Sequence, residues 1–386
     1  MLFYYYIMEL IFISGVFNMV LKVKLISLLT TILLIFQAAF IFPSFDAQKT
    51  DFQECKNVIF MIGDGMGFNS LEKTKAECGV ELVMDTFPIQ SASRTASANS
   101  IVTDSAAGGT ALATGVRTAN GALGVYMGDR NAVSSHPMNL SELAVSQGKL
   151  AGVITTDSTA GATPGSFSVH VADRDYEDQI TAQQLASELT LCWGTQAGSF
   201  TAEAAQENGW THIYDKESMD ALEEGSRSFG QFTSDLWHVD NGPEMPTLAE
   251  MTVKAIDLLD DDEDGFFLMV EGAHIDKNSH DNNGEGMKDA LLSFDAAVAA
   301  ALEYAKADGD TLIVITADHE TGGIIKVGDE YRYTSGGHTG NNVPLRVYGC
   351  DDFVGNDLSI PNIEVSRRVA CVMGIENFPF RMEVIY

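Results

Sequence analysis

Lysine and arginine are scarce in this chain: 23 stand against 54 aspartates and glutamates, a formal net charge of −31 over 386 residues. Residues 1–47 hold two charges of each sign, so the remainder keeps the whole imbalance. A body so acidic repels phosphate backbones and anionic membranes, which leaves almost no room for nucleic-acid binding through a basic patch. The charge favours solubility and cations and says nothing about fold. Cysteine is sparse too. Five residues (Cys55, Cys78, Cys192, Cys350 and Cys371) are too few for a disulfide scaffold. None forms a Cys-x-x-Cys pair, and the odd number leaves at least one without an intramolecular partner. With only nine prolines, no Pro/Ser-rich linker divides the chain, and residues 48–386 read as a single domain. No repeat of about 20–50 residues marks a solenoid. After residue 47 no apolar run reads as a membrane span. What is present, 45% hydrophobic and 20% charged residues, is the composition of a globular chain.

Residues 1–47 read as a targeting segment. Met19 begins a signal-peptide pattern of Lys22 and Lys24 followed by an apolar run from Leu25 to about Phe42. Cleavage after Ala39 or Ala47 fits, although neither has a clean small-x-small context. Met1 and Met8 lie upstream, so the start residue stays open. An uncleaved anchor is the alternative, since about 18 apolar residues just span a bilayer. The expectation is an exported protein, periplasmic or extracellular, in which cysteine pairs are permitted.

The body alternates short apolar runs with helical periodicity. Val58–Ile62, Leu150–Thr155, Phe266–Val270 and Leu312–Thr316 read as buried parallel strands. Between them, Ser141–Gly148 opens with Glu142 in its first turn and stops at a glycine. Thr247–Leu259 begins with a Thr-x-x-Glu capping box, and Lys288–Ala307 is alanine-rich and amphipathic. This alternation predicts an α/β three-layer sandwich, a mostly parallel central sheet with helices on both faces. Residues 192–240 are less regular and read as a possible insertion.

The residues that end the strands carry the chemistry, because open parallel sheets bind ligands at the carboxyl ends of their strands. Val58–Ile62 runs into Gly63-Asp64-Gly65-Met66-Gly67. Phe266–Val270 runs into Glu271-Gly-Ala-His274-Ile-Asp276-Lys277-Asn-Ser-His280. Leu312–Thr316 runs into Ala317-Asp318-His319-Glu320. One acid after a strand is commonplace, whereas three strands delivering carboxylates or imidazoles to one edge are not. Asp276 and His280, four apart, share one helical face as a metal-binding pair. Asp318 and His319, being adjacent, can share an ion only in a loop. His338 lies in Ser335-Gly-Gly-His-Thr-Gly340, read as a flexible loop. Mixed imidazole and carboxylate ligands suit Zn²⁺, and an all-oxygen set suits Mg²⁺. Ser105 is the candidate nucleophile. Thr103–Gly115 reads as a small-residue helix starting near Asp104, whose free N–H groups suit a phosphate. Alone, Asp-Ser before alanines would be an ordinary helix cap; beside the ligand-rich strand ends it becomes a site.

Six blocks, Asp64-Gly-Met-Gly, Thr103-Asp-Ser-Ala-Ala-Gly-Gly-Thr-Ala, Ala162-Thr163-Pro164, Glu271 to His280, Thr316-Ala-Asp-His319 and Gly337-His-Thr-Gly, stand in the order seen in alkaline phosphatases. Across residues 55–350 the chain therefore resembles that family. The resemblance implies one zinc on Asp276, His280 and His338, and a second on Asp64, Ser105, Asp318 and His319. It implies a third ion, usually Mg²⁺, on Asp64, Thr163 and Glu271. Arg174 would hold the phosphate through two guanidinium nitrogens, where lysine would serve less well. Lys277 matches a lysine that some relatives place near the phosphate. The implied reaction is hydrolysis of a broad range of phosphate monoesters by double displacement through a phosphoserine on Ser105. A homodimer is implied by analogy. One position departs from the pattern. Two residues before Thr163, relatives carry Asp or His that supports the third ion through its waters, and here stands Gly161. Loss of such support weakens metal affinity by about 10–100-fold.

Other signals are weaker. Asp260-x-Asp262-x-Asp264-Gly265 with Glu271 fits the EF-hand spacing, but Phe266–Val270 is too apolar for a calcium loop. Gly63-x-Gly65-x-Gly67 lacks dinucleotide-loop spacing. His136, His170, His212, His238 and His274 read as surface or core residues rather than ligands. A phosphodiesterase or sulfatase of the same superfamily is the rival function. Such phosphodiesterases often use threonine as nucleophile and sulfatases a modified Cys or Ser in a Cys/Ser-x-Pro-x-Arg motif, whereas Ser105 precedes Ala-Ala. A non-catalytic metal- or phosphate-binding protein is disfavoured by the full set of Ser105, Arg174 and ligands.

Overall fold

The computed structural model describes residues 52–127, 135–233 and 236–383. The targeting segment expected over residues 1–47 lies outside them. Ten strands form the main sheet: β1 (Asn57–Gly63), β2 (Ile89–Arg94), β3 (Leu150–Ser158), β4 (Leu191–Thr195), β5 (Thr211–Ile213), β6 (Ser228–Phe232), β7 (Phe266–Gly272), β8 (Thr311–Thr316), β9 (Val343–Tyr348) and β10 (Ile360–Pro361). Their order is β10-β2-β9-β8-β1-β7-β3-β4-β6-β5. All run parallel except β9, which is antiparallel to both of its neighbours. The reason lies in the β8–β9 connection. Its described elements are short two-stranded ribbons rather than a crossover helix, so the chain returns antiparallel.

The four apolar runs are β1, β3, β7 and β8, each extended by one to three residues beyond its apolar stretch. β1 is buried at every position and sits at the centre, between β7 and β8. Its alternate side chains feed two cores. Val58, Phe60 and Ile62 pack with Leu112, Leu143 and Val369, while Ile59 and Met61 pack with Leu71, Met251 and Leu291. The first face is covered by α2 (Ser105–Thr114), α3 (Leu140–Ser146) and α8 (Asn362–Val372). The second is covered by α1 (Phe68–Cys78), α5 (Leu248–Leu259) and α7 (Gly284–Asp308). Two further short helices, α4 (Ala162–Ser166) and α6 (His274–His280), follow β3 and β7 directly. The architecture is the three-layer α/β sandwich.

Local chemistry explains the helix ends. Thr247 caps α5 and Glu250 closes the capping box. α3 starts at Leu140, one residue before the expected Ser141, because Asn139 is its cap, with Glu142 returning to the Asn139 N–H at 2.9 Å. Helix α7 begins four residues before Lys288 because Asn283 caps Gly286. The reading of residues 192–240 as a possible insertion is not borne out: this stretch holds nearly all of β4 and the whole of β5 and β6, which complete one edge of the sheet. Its weak pattern reflects strands of only three to five residues. All five cysteines are free thiols. No helix among the described residues is long and apolar enough to cross a membrane.

Candidate active site

Strand register sets the site. β1 lies between β7 and β8, with Ile62 opposite Glu271 on one side and Thr316 on the other. Asp64, Glu271 and Asp318 therefore leave the sheet side by side. Close approach is built into the glycines. Gly65 has φ +72, and a Cβ there would fall 2.7 Å from Asp276 Cα. Its N–H donates to Asp318 Oδ1 at 3.2 Å. A Cβ on Gly108 would meet the Asp318 carbonyl oxygen at 2.9 Å, so a bare α2 surface rests on the Asp318 loop.

Ser105 is the first residue of α2, after the cap Asp104, whose Oδ1 accepts from the Ala107 N–H at 3.0 Å. Ser105 Oγ lies 3.1 Å from His319 Nε2. Asp104 Oδ2 also faces Arg174 Nη1 at 3.6 Å and accepts from the Gly121 N–H at 2.8 Å, which anchors the guanidinium beside the helix start. Asp276 and His280 share one face of α6, with Oδ2 and Nε2 3.4 Å apart. The segment holding His338 is not a flexible loop. His338–Thr339 pairs antiparallel with Glu320–Thr321, because backbone pairing and a Thr339–Glu320 hydrogen bond tie the two segments together. That ribbon stacks the His338 ring on His319 at 3.5 Å. Thr163 sits in α4, where Gly161 is the cap residue. Lys277 is exposed and pairs with Asp157 Oδ1 at 2.5 Å.

Hydrogen bonds reveal which ring nitrogens are free. The Thr321 hydroxyl donates to Asp276, so His319 Nδ1, 3.2 Å from the same hydroxyl, must be its donor. His319 Nε2 then presents a lone pair toward Ser105, with Asp318 Oδ2 at 3.2 Å and Asp64 Oδ1 at 3.5 Å. His280 Nδ1 donates to the Gly336 carbonyl at 2.7 Å and His338 Nδ1 to the Thr103 carbonyl at 3.0 Å. Their Nε2 atoms consequently meet at 3.0 Å, with both Nδ1 protons already engaged elsewhere. Such convergence needs a proton or a cation between the atoms.

The carboxylates make the same demand. Burial, then the charges of Asp318, Asp276 and Glu271, push the Asp64 carboxyl well above its usual range. Burial, offset by a Thr155 hydrogen bond and reinforced by the charges of Asp157 and Asp318, lifts Glu271 to about 8. Asp276 is held at about 2, because its hydrogen bonds with His280 and Thr321 outweigh its burial. The reciprocal Asp276 bond raises His280 to about 9. Asp64 Oδ1, Asp318 Oδ2 and Thr163 Oγ1 are buried and accept or donate no regular hydrogen bond, a cost of about 1–3 kcal/mol each for neutral groups and more for charged ones. Ligand atoms of Asp64, Asp318 and His319 lie within 4.8 Å of one another, as do those of Asp276, His319 and His338. The donor set therefore fits divalent metal ions.

The strand-end rule would have found more residues. β3 ends in Thr155-Thr156-Asp157-Ser158; Thr155 donates to Glu271, and Asp157 binds Lys277. Thr321 and the carbonyls of Thr103 and Gly336 carry no sequence signal, since only folding places them behind the histidines. His274 lies beside Thr156 and stacks on Trp237, apart from the ligand cluster.

Carboxylates and imidazoles brought to one edge of a parallel sheet, around a serine at a helix start, define a candidate multi-metal centre on an α/β sandwich. The chain belongs to the alkaline phosphatase family: the family model described as alkaline phosphatase matches residues 55–197 and 193–345. Alkaline phosphatase 4 of Bacillus subtilis is 34% identical over 308 residues, covering 72% of this chain and 64% of that protein. The repressible alkaline phosphatase of Saccharomyces cerevisiae is 34% identical over 334 residues, covering 74% and 58%. The chain thus spans under two thirds of the length of these relatives. The solved alkaline phosphatase of the Antarctic bacterium TAB5 superposes with a TM-score of 0.73 at 29% identity, over 84% of this chain and all of that one. A mutant of that enzyme has been solved with Mg bound in its M3 site.

Proposed function

We propose that this protein hydrolyses phosphate monoesters to an alcohol and inorganic phosphate through a phosphoserine on Ser105. One observation carries the reading: the Ser105 hydroxyl, at the start of a buried helix, faces the His319 Nε2 lone pair among buried carboxylate oxygens without hydrogen-bond partners. Asp276, His280 and His338 would hold one zinc ion, and Asp64, Ser105, Asp318 and His319 a second. Asp64, Thr163 and Glu271 would hold Mg²⁺. Bound there, these ions supply positive charge that favours the serine alkoxide and the charge developing on the attacking and leaving oxygens.

The chain's own groups do the rest. Ser105 Oγ attacks phosphorus in line, forming the O–P bond as the ester bond breaks, and water later cleaves the phosphoserine. Arg174, anchored by Asp104, offers paired N–H donors to the non-bridging oxygens. The free N–H groups at the α2 start add a fixed positive end. The Thr321 hydroxyl and Asp276 hold the His319 tautomer, and the Thr103 and Gly336 carbonyls hold those of His338 and His280. Lys277, paired with Asp157, lies at the rim, where a water can link it to phosphate.

The test is p-nitrophenyl phosphate hydrolysis against pH, after chelation and after return of Zn²⁺ and Mg²⁺, with Ser105→Ala as control. Alkaline turnover that zinc restores supports the proposal. Turnover of phosphodiesters or sulfate esters alone, with zinc bound, refutes it. The homodimer and export expected from the sequence are checked by sedimentation and by fractionation of cells expressing the full chain.

A further inference from the structure

The tautomer pattern of the catalytic histidines recurs at a second place that shares no residue with them. His170 Nδ1 donates to the Gly124 carbonyl at 2.6 Å, and its Nε2 meets Glu142 Oε1 at 2.9 Å with a proton between them, the place a cation would take. The His136 ring stacks on His170, centroids 3.6 Å apart, and its Nδ1 faces its neighbour's carbonyl, that of Pro137, at 3.4 Å. One ligand atom from each of His136, Glu142 and His170 lies within 4.8 Å of the other two.

The surroundings hold these groups in place. The other Glu142 oxygen accepts from the Asn139 N–H in the α3 capping box, which fixes the carboxylate and directs Oε1 at His170. Gly124 has φ +62, and a Cβ there would lie 2.6 Å from His170 Nδ1, so only glycine lets the ring reach that carbonyl. A cavity of about 450 Å³, lined in part by Glu142, Ser168, His170 and Gln183, opens beside the cluster and has room for a water.

We propose that His136, Glu142 and His170 form an additional zinc site, with water as fourth ligand. Two imidazoles and one carboxylate with an open position make a known zinc donor set. The candidate ligand atoms lie within 4.8 Å of one another, so tetrahedral ligation at about 2.0–2.1 Å requires the His136 ring to turn out of its stack on His170. The ion would fasten the strand Ser135–Pro137, and with it the strand Arg381–Glu383 paired to it, onto α3 and the segment after α4. Metal binding of this kind adds directly to folding stability.

The test compares the full chain with His136→Gln, a residue outside the catalytic cluster. Both are stripped with chelator, reloaded with Zn²⁺, dialysed against a competing chelator and assayed for metal content. The expected result is one zinc fewer per chain in His136→Gln, a smaller zinc-induced rise in melting temperature, and unchanged p-nitrophenyl phosphate turnover. Equal zinc content in the two proteins would overturn the proposal and leave a plain His170–Glu142 ion pair. If His136→Gln does not fold, anomalous scattering at the zinc edge from crystals of the unaltered protein decides. A peak among the three residues supports the site, and its absence under saturating zinc refutes it.

Discussion

Gly65→Ala separates backbone strain from close approach at the site. Gly65 has φ +72, and an added Cβ would fall 2.7 Å from Asp276 Cα and 2.8 Å from Asp276 Oδ1. Left-handed backbone costs alanine about 1–2 kcal/mol. Forcing a methyl against a fixed backbone costs about 1–3 kcal/mol more. Together they predict a loss of about 2–5 kcal/mol, of which only the strain part is generic. Gly79 is the control: its φ is +67, and nothing lies within 4 Å of an added Cβ. Gly79→Ala should lose about 1–2 kcal/mol and keep full turnover. Gly65→Ala should melt lower than Gly79→Ala and lose about 100-fold in kcat/KM, because displacing Asp276 by about 1 Å misplaces a proposed ligand. Thermal melts and p-nitrophenyl phosphate kinetics on both variants provide the readout. Equal melting temperatures with wild-type turnover in Gly65→Ala would refute the claim that contact with Asp276 fixes this loop.

Ser105→Ala should lower turnover by at least about 1,000-fold without unfolding the protein, since the hydroxyl is the proposed nucleophile and α2 keeps its cap; circular dichroism alongside the assay checks this. Chelation should abolish activity and lower the melting temperature, because Asp64 and Asp318 would then keep buried oxygens without partners; scanning calorimetry with and without restored zinc measures it. Arg174→Lys should raise KM by about 10-fold, the loss of one charge-assisted hydrogen bond, with little change in melting temperature. Asp85 bridges Lys75 at 2.8 Å and the buried Arg346 at 3.1 Å. Although burial opposes it, these partners hold its carboxyl below the ordinary 3.8. A depressed carboxyl stabilises the fold fully above the unfolded pKa and loses that contribution as pH falls through the folded one. Asp85→Asn should therefore cost about 3 kcal/mol at pH 7, and the gap between variant and wild type in urea melts should shrink below pH 4.

The sequence by itself determined the sheet's centre and the inner candidate ligands. Runs such as Val58–Ile62 and Leu312–Thr316 are apolar at successive positions, which only a strand covered on both faces tolerates, and the acids and imidazoles follow those runs directly. Asp276 and His280 were legible because four residues make one helical turn. The edge strands β4, β5 and β6 were not, being too short for a period to show. Tertiary structure alone decided which nitrogen each histidine offers, because the fixing partners, Thr321 and the carbonyls of Thr103 and Gly336, come from other segments and look ordinary in sequence. It also turned the segment around His338 from a loop into a paired ribbon. Likewise it brought His136, Glu142 and His170 together from three separate stretches. Long-range pairing of this kind is set by register and packing, and no local pattern encodes it.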